Sequence, residues 1–289
     1  VSLDRISLFS PAKLNLFLRV LHKEKSGFHS IASLIQAIDL GDRLDFTRNH
    51  CDALVQESGP PVSLDGDNLI SRAAALFRKK SGVDDLFILC RFTKSIPLQG
   101  GLGGGSSNAA TALYACNELS GRPCSIAQLQ DWGGELGADV PFFFSSGSAY
   151  CSGRGEEIEE VTYPVDEIFS MPCYLAQPSF GLSTPAIYAA SLPGSLPSRD
   201  PRRSLAQFMH GEFDFYNDLE DAACRYSPNC LYYLKTLRES GFSHVSLTGS
   251  GPCAFCFGRE TAPVLSEIQF TRVYPLMKQS ILWYSNERI

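Results

Sequence analysis

The chain has 289 residues, 44% hydrophobic and 19% charged, with 24 Gly and 17 Pro; this is a globular composition with length for two ordinary domains, and it excludes wholesale disorder. Its 25 Lys and Arg against 31 Asp and Glu leave a formal charge of −6, which gives no general attraction for nucleic acid. The greasiest run, Val140 to Phe144, is five residues long and contains Pro141, and Asp4, Arg5, Lys13 and Arg19 interrupt any secretory apolar segment, so a cytoplasmic protein without a membrane span is predicted.

From Ala12 to Val20 the residues alternate, with Ala12, Leu14, Leu16, Leu18 and Val20 on one face and Lys13, Asn15, Phe17 and Arg19 on the other. That period predicts a strand carrying Lys13 and Asn15 side by side, about 7 Å apart along its length. Residues 68–80 follow Asp65-Gly66-Asp67 and place Leu69, Ile70, Ala73, Ala74 and Phe77 at helical spacing, with basic residues in the last turn. Leu86 to Phe92 reads as a short strand. Pro97 then opens a glycine-dense loop, and a helix begins at Ser106-Ser107-Asn108 and runs to about Leu119. A second helix fits Ser125 to Leu136, and Asp139 falls in the turn Gly137-Ala138-Asp139-Val140-Pro141 that precedes the aromatic run Phe142 to Phe144.

After the acidic segment Glu156 to Glu160, residues 178–201 are rich in Pro and Ser, with one short helix at Pro185 to Ala190. A domain boundary is placed near residue 162, giving domains 1–162 and 163–289. Leu219 to Cys224 and Asn229 to Ser240 read as helices, and Val245 to Leu247 and Cys253 to Phe257 as strands flanking Thr248-Gly249-Ser250-Gly251. The lone CxxC, Cys253 to Cys256, has no second pair, and its place in an apolar run predicts buried reduced thiols instead of a metal site.

Five glycines in six positions, Gly100-Gly101-Leu102-Gly103-Gly104-Gly105, precede Ser106 and Ser107. Such a loop lets backbone approach a ligand closely, and at a helix N-terminus its N–H groups join the positive end of the macrodipole, an arrangement that favours phosphate. Ser106 and Ser107 are expected to cap the helix and to offer hydroxyls to phosphate. A Walker loop would carry Lys where Ser106 stands; a dinucleotide loop would carry a third Gly at that position and an acid near residue 125, which is Ser125.

The run Pro97 to Ala110 resembles the phosphate loop of the GHMP small-molecule kinases. The segments Ser10 to Leu18, Gly27-Phe28-His29-Ser30, Asp67 to Ile70, Gly137 to Phe143, Ser183-Thr184-Pro185, Asn217 to Glu220 and Leu247 to Gly251 are similar, in order, to the branch acting on a methylerythritol that carries a cytidine diphosphate group. The resemblance covers nearly the whole chain. It implies an α+β fold of two domains, ribosomal-S5-like at the N-terminus and ferredoxin-like at the C-terminus. It also implies a reaction in which ATP phosphorylates the tertiary 2-hydroxyl of that alcohol, in the non-mevalonate route to isoprenoid precursors. A GHMP-type kinase of another alcohol, such as mevalonate or homoserine, is the alternative within the class, and an inactive nucleotide-binding module the alternative outside it.

By the same resemblance Asp139 is the base that accepts the hydroxyl proton and Lys13 its cationic partner. Pro97, Gly101, Leu102, Gly103, Gly104, Gly105, Ser106 and Ser107 would hold the phosphates, with Asn68, Leu69 and Lys94 near the nucleotide. Phe28 and Tyr188 would sandwich the cytosine, His29 would bond its polar edge, and Asn15 and Thr184 would touch the polyol or diphosphate. The family commonly has Tyr where this chain has Phe28, which keeps the ring face and drops a hydroxyl. Magnesium is expected on ATP, held by phosphate oxygens, water and Ser107 without a protein-built cage. The expected partner is that small molecule alone, bound by a monomer or weak homodimer.

Overall fold

A computed structural model describes residues 3–277 and Tyr284. In chain order its elements are β1 (Arg5–Lys23), β2 (His29–Asn49), β3 (Ala53–Ser58), α1 (Leu69–Ser81), β4 (Phe87–Thr93), α2 (Gly104–Leu119), α3 (Ile126–Leu136), a 3-10 turn (Pro141–Phe144), β5 (Ser148–Ser152) and β6 (Glu157–Glu160). They continue with α4 (Val165–Ile168), β7 (Cys173–Pro178), α5 (Thr184–Ala190), α6 (Pro201–Met209), β8 (Tyr216–Asn217), α7 (Leu219–Tyr226), α8 (Pro228–Glu239), β9 (His244–Leu247), β10 (Ala254–Phe257) and β11 (Ile268–Val273).

The first sheet runs β3-β4-β2-β1-β8, with β5 on β2 and β6 on β5; the second is antiparallel in the order β11-β7-β10-β9. The long pair β1 and β2 forms the spine. Its register shifts between Pro11 and Ala12, between Asn15 and Phe17, and between Val20 and His22, bends that let one ribbon serve several layers. The predicted strand at Ala12 to Val20 is the buried middle of β1, but both of its faces are covered: Phe17 is fully buried, as are Lys13 and Asn15. The strand β2 has no counterpart among the predicted elements. Eight consecutive buried residues from Ile31 to Ile38 erase the alternation that marks a one-sided strand.

Helix α2 is buried along one unbroken run from Ser107 to Leu119, so small residues such as Ala109, Ala110, Ala112 and Ala115 let it thread the core. Helix α1 starts at Asn68, whose side chain accepts from Ile70 N, and stops at Gly82 with φ 73°. Helix α3 starts with a capping box between Ser125 and Gln128. Tyr216 and Asn217, which lie beyond residue 162, pair in parallel with Phe17 and Leu18, so the later part of the chain supplies an edge to the first sheet. No helix among the described residues is long and apolar enough to cross a membrane.

Candidate active site

A cleft of about 930 Å³ opens along β1 between the glycine loop, the start of α3's exit turn and α5. Every residue nominated from the sequence lines it except Ser107. Ser107 is fully buried, and its hydroxyl accepts from Ser10 Oγ at 2.8 Å. Ser107 thus stands behind the cleft lining, bonded to β1. The expected cap differs, because Gly103, with φ 69°, is the N-cap of α2 and no side chain bonds to the helix start. That substitution has a physical reason: the tight turn demands a left-handed residue, which Gly adopts without strain. It leaves the first-turn amides of α2 without a side-chain cap, and among these residues Gly104, Gly105 and Ser106 line the cleft, an arrangement that fits the phosphates of a nucleotide.

The glycines also serve packing. A Cβ on Gly101, where φ is 78°, would fall 2.0 Å from Thr248 O, and one on Gly251 would fall 2.1 Å from Gly101 N. The two glycine motifs, some 150 residues apart in sequence, thus meet backbone to backbone, and the loop is held by protein on one side while its helix start faces the cleft.

Lys13 and Asp139 meet here, with Nζ 3.6 Å from Oδ2. Lys13 is only 3% exposed, and its Nζ also donates to Asn15 Oδ1 at 2.6 Å. The chain of bonds continues, because Asn15 Nδ2 donates to Ser33 Oγ at 2.8 Å and Ser33 Oγ donates to Phe17 O at 2.6 Å. The adjacency of Lys13 and Asn15 on one strand face follows from the two-residue period; Ser33, on β2, carries no local signal of its part in the network. Thr248 Oγ1 accepts from Asn15 N at 3.0 Å, and Asn217 Nδ2 donates to Leu247 O at 2.9 Å and Gly249 O at 2.8 Å. A Cβ on Gly103 would touch Lys13 Cγ at 3.0 Å, which puts the ammonium-bearing side chain directly beside the glycine loop.

At the other end, Phe28 is 58% exposed, with the Arg154 guanidinium 4.4 Å from its ring centroid, a cation–π contact. Arg154 also pairs with Glu24 at 3.0 Å. The ring nearest Tyr188 is that of His29, with centroids 5.3 Å apart. Burial, reinforced by the Asp139 charge, pushes the Tyr188 phenol well up. Burial, with the Lys23 charge, holds His29 below its ordinary value, which favours the neutral ring. Thr184 shares a hydrogen bond with Ser250 at 2.8 Å, joining α5 to the second glycine motif. Asn68 lines the cleft while its side chain caps α1. Cys253, just before β10, and Cys256, on it, are buried, and burial pushes the Cys253 thiol up to about 12, which suits inert core thiols.

The two sheets, the glycine loop at a helix start and the Lys–Asp pair beside it are the architecture of a GHMP kinase, and residues 68–147 match the GHMP kinases N terminal domain. A homoserine kinase structure from Cytophaga hutchinsonii shares the fold, with a TM-score of 0.65 at 19% identity, covering 89% of this chain and 85% of that one. A solved 4-(cytidine 5'-diphospho)-2C-methyl-D-erythritol kinase superposes with a TM-score of 0.74 at 28% identity over 93% of this chain and 99% of that one. The 4-diphosphocytidyl-2-C-methyl-D-erythritol kinase of Protochlamydia amoebophila is 41% identical over 98% of this chain and 94% of its own length. The chain belongs to the 4-diphosphocytidyl-2-C-methyl-D-erythritol kinase family.

Proposed function

We propose that this chain transfers the γ-phosphoryl group of ATP to the 2-hydroxyl of 4-diphosphocytidyl-2-C-methyl-D-erythritol, a step toward isoprenoid precursors. The observation that carries this reading is the packing of the Lys13–Asp139 pair against the glycine loop, within a family whose Protochlamydia member bears that name. Asp139 accepts the proton of the attacking hydroxyl. Lys13, fixed by Asn15 and 3.6 Å from the Asp139 carboxylate, orients that carboxylate and offers positive charge where the transferred group passes. Phosphoryl transfer through a loose transition state asks mainly for this positioning. The helix start at Gly104 to Ser106 and the nearby Pro97, Gly101, Leu102, Gly103 and Leu69 hold the nucleotide. Phe28, Tyr188 and neutral His29 hold the cytosine, with Asn15 and Thr184 toward the rest of the alcohol.

Magnesium comes bound to the nucleotide, held by phosphate oxygens and water, with the Ser107 hydroxyl, which accepts from Ser10, as the protein group proposed beside it. Two domains, 1–162 and 163–289, are proposed because β1 to β6, ending at Glu160, build the first sheet and the second begins at Cys173, with β8 alone returning as an edge of the first. The ten free cysteines support work in a reducing, cytoplasmic setting. The chain is proposed to act as a monomer or weak homodimer. The test is an ADP-release assay over a panel of alcohols. Turnover should require the cytidine diphosphate group, and equal turnover of mevalonate, homoserine or the uncytidylated alcohol would refute the substrate assignment.

A further inference from the structure

We infer that Asp42 is a positioning residue for nucleotide binding, holding the Lys94 ammonium at the start of α2 so that its remaining protons face the phosphates. The inference rests on the proposed function's reading of the glycine loop as the nucleotide site.

Asp42 is fully buried and Lys94 is 7% exposed. One carboxylate receives three donors from three consecutive residues: Lys94 Nζ on Oδ2, Ser95 N on Oδ1 at 2.8 Å and Ile96 N on Oδ1 at 2.9 Å. It therefore fixes at once the Lys94 side chain and the backbone that leads into Pro97 and the glycine loop. An ammonium has three protons, and among the described residues Lys94 Nζ has no hydrogen-bond partner besides Asp42. Lys94 itself lines the cleft.

The location of that charge is the informative part. A Cβ on Gly104 would come within 2.9 Å of Lys94 Nζ, so the cation sits against the first residue of α2. A cation is disfavoured at the positive end of a helix, and a buried ion pair is a weak device for stability compared with apolar packing. Both objections vanish when an anion with several negative oxygens occupies the cleft between the helix start and Lys94. Asp42 then offsets part of the charge while the cleft is empty and sets the direction of Lys94 when it is filled. No local pattern announces this role, because Asp42 reaches its partner across 52 positions.

The experiment is calorimetric titration of the intact protein with Mg·ATP and, separately, adenosine, without alcohol substrate. Asp42→Asn and Lys94→Met should each weaken Mg·ATP by about tenfold or more, the scale of a charge-assisted hydrogen bond, and leave adenosine affinity as in the wild type. The double variant, a neutral pair, should bind Mg·ATP no more weakly than Lys94→Met alone. Asp42→Glu, which keeps the charge and shifts the ammonium by a methylene, should also lose Mg·ATP affinity selectively, and it covers the case in which Asp42→Asn does not fold. Unchanged Mg·ATP affinity in folded Asp42→Asn or Asp42→Glu overturns the inference, as do equal losses for ATP and adenosine or fully additive losses in the double variant. If the wild type binds no Mg·ATP, the nucleotide-site reading falls and the inference falls with it.

Discussion

At the glycine-loop end of the cleft the polar side chains are held by buried partners: Lys13 by Asn15, Asn15 by Ser33, and Lys94 by Asp42. At the Phe28 end the outer ring is open, with Phe28 58% exposed and touched by Arg154, itself paired to Glu24 at the rim, while His29 lies buried behind it. The contrast matches the tasks proposed for the two ends. A phosphoryl group in transit tolerates little misplacement, so its surroundings are over-determined, whereas a flat base needs large ring faces that can adjust as it enters.

Removing chemistry from the rigid end should have the largest effect. Asp139→Asn is expected to lower turnover by about two orders of magnitude or more with little change in ATP affinity, since proton acceptance is lost and volume is kept; steady-state rates beside calorimetry check this. Near-normal turnover would break the assignment of Asp139 as base. Lys13→Met should also cut turnover sharply, and an effect confined to thermal stability would reduce Lys13 to a structural ion.

Next comes the seam between the glycine motifs. Gly101→Ala must place a Cβ 2.0 Å from Thr248 O at φ 78°, so a loss of about 2–4 kcal/mol in unfolding free energy is expected from strain and overpacking together. Denaturant titration measures it, and a shift within a few tenths of a kcal/mol would show that the loop adapts more easily than its packing implies.

The rim should respond more mildly and on a different axis. Tyr188→Ala should raise the apparent constant for the cytidylated alcohol by roughly 5- to 150-fold, from about 1–3 kcal/mol of stacking, while ATP affinity holds. Phe28→Tyr should change little, because the ring face is already present and the phenol stands near water. A fall in ATP affinity with Tyr188→Ala would mean that the ends are not independent.

The smallest effect lies outside both ends. His244, on β9 beside the Phe215 ring at 4.4 Å, is pushed by burial from 6.5 to about 4. The folded state thus favours the neutral ring, while the unfolded chain takes up a proton near pH 6.5. The associated stability is fully present above that pH and is lost as pH falls toward about 4. His244→Phe should flatten this part of a melting-temperature profile, and an unaltered acid slope would exclude His244 as its source.

Much of the cleft was legible in the sequence because its signals are local. A two-residue period puts Lys13 beside Asn15, the Asn68 cap and the Ser125–Gln128 box start their helices at the expected places, and the glycine run adjoins a helix whatever surrounds it. The order of motifs likewise carried the family resemblance. Other features depend on partners far apart in the chain. The strand β2 hides its period because both faces are covered, and the Ser107 hydroxyl meets that of Ser10, 97 positions earlier. The Gly101 and Gly251 backbones touch, and Asp42 meets Lys94, only once β1, β2, β4 and the second sheet's loops have assembled. Local spacing records which residues share a face or open a helix; which buried donor meets which acceptor is decided by tertiary packing, since satisfying each buried polar group is a condition on the whole fold.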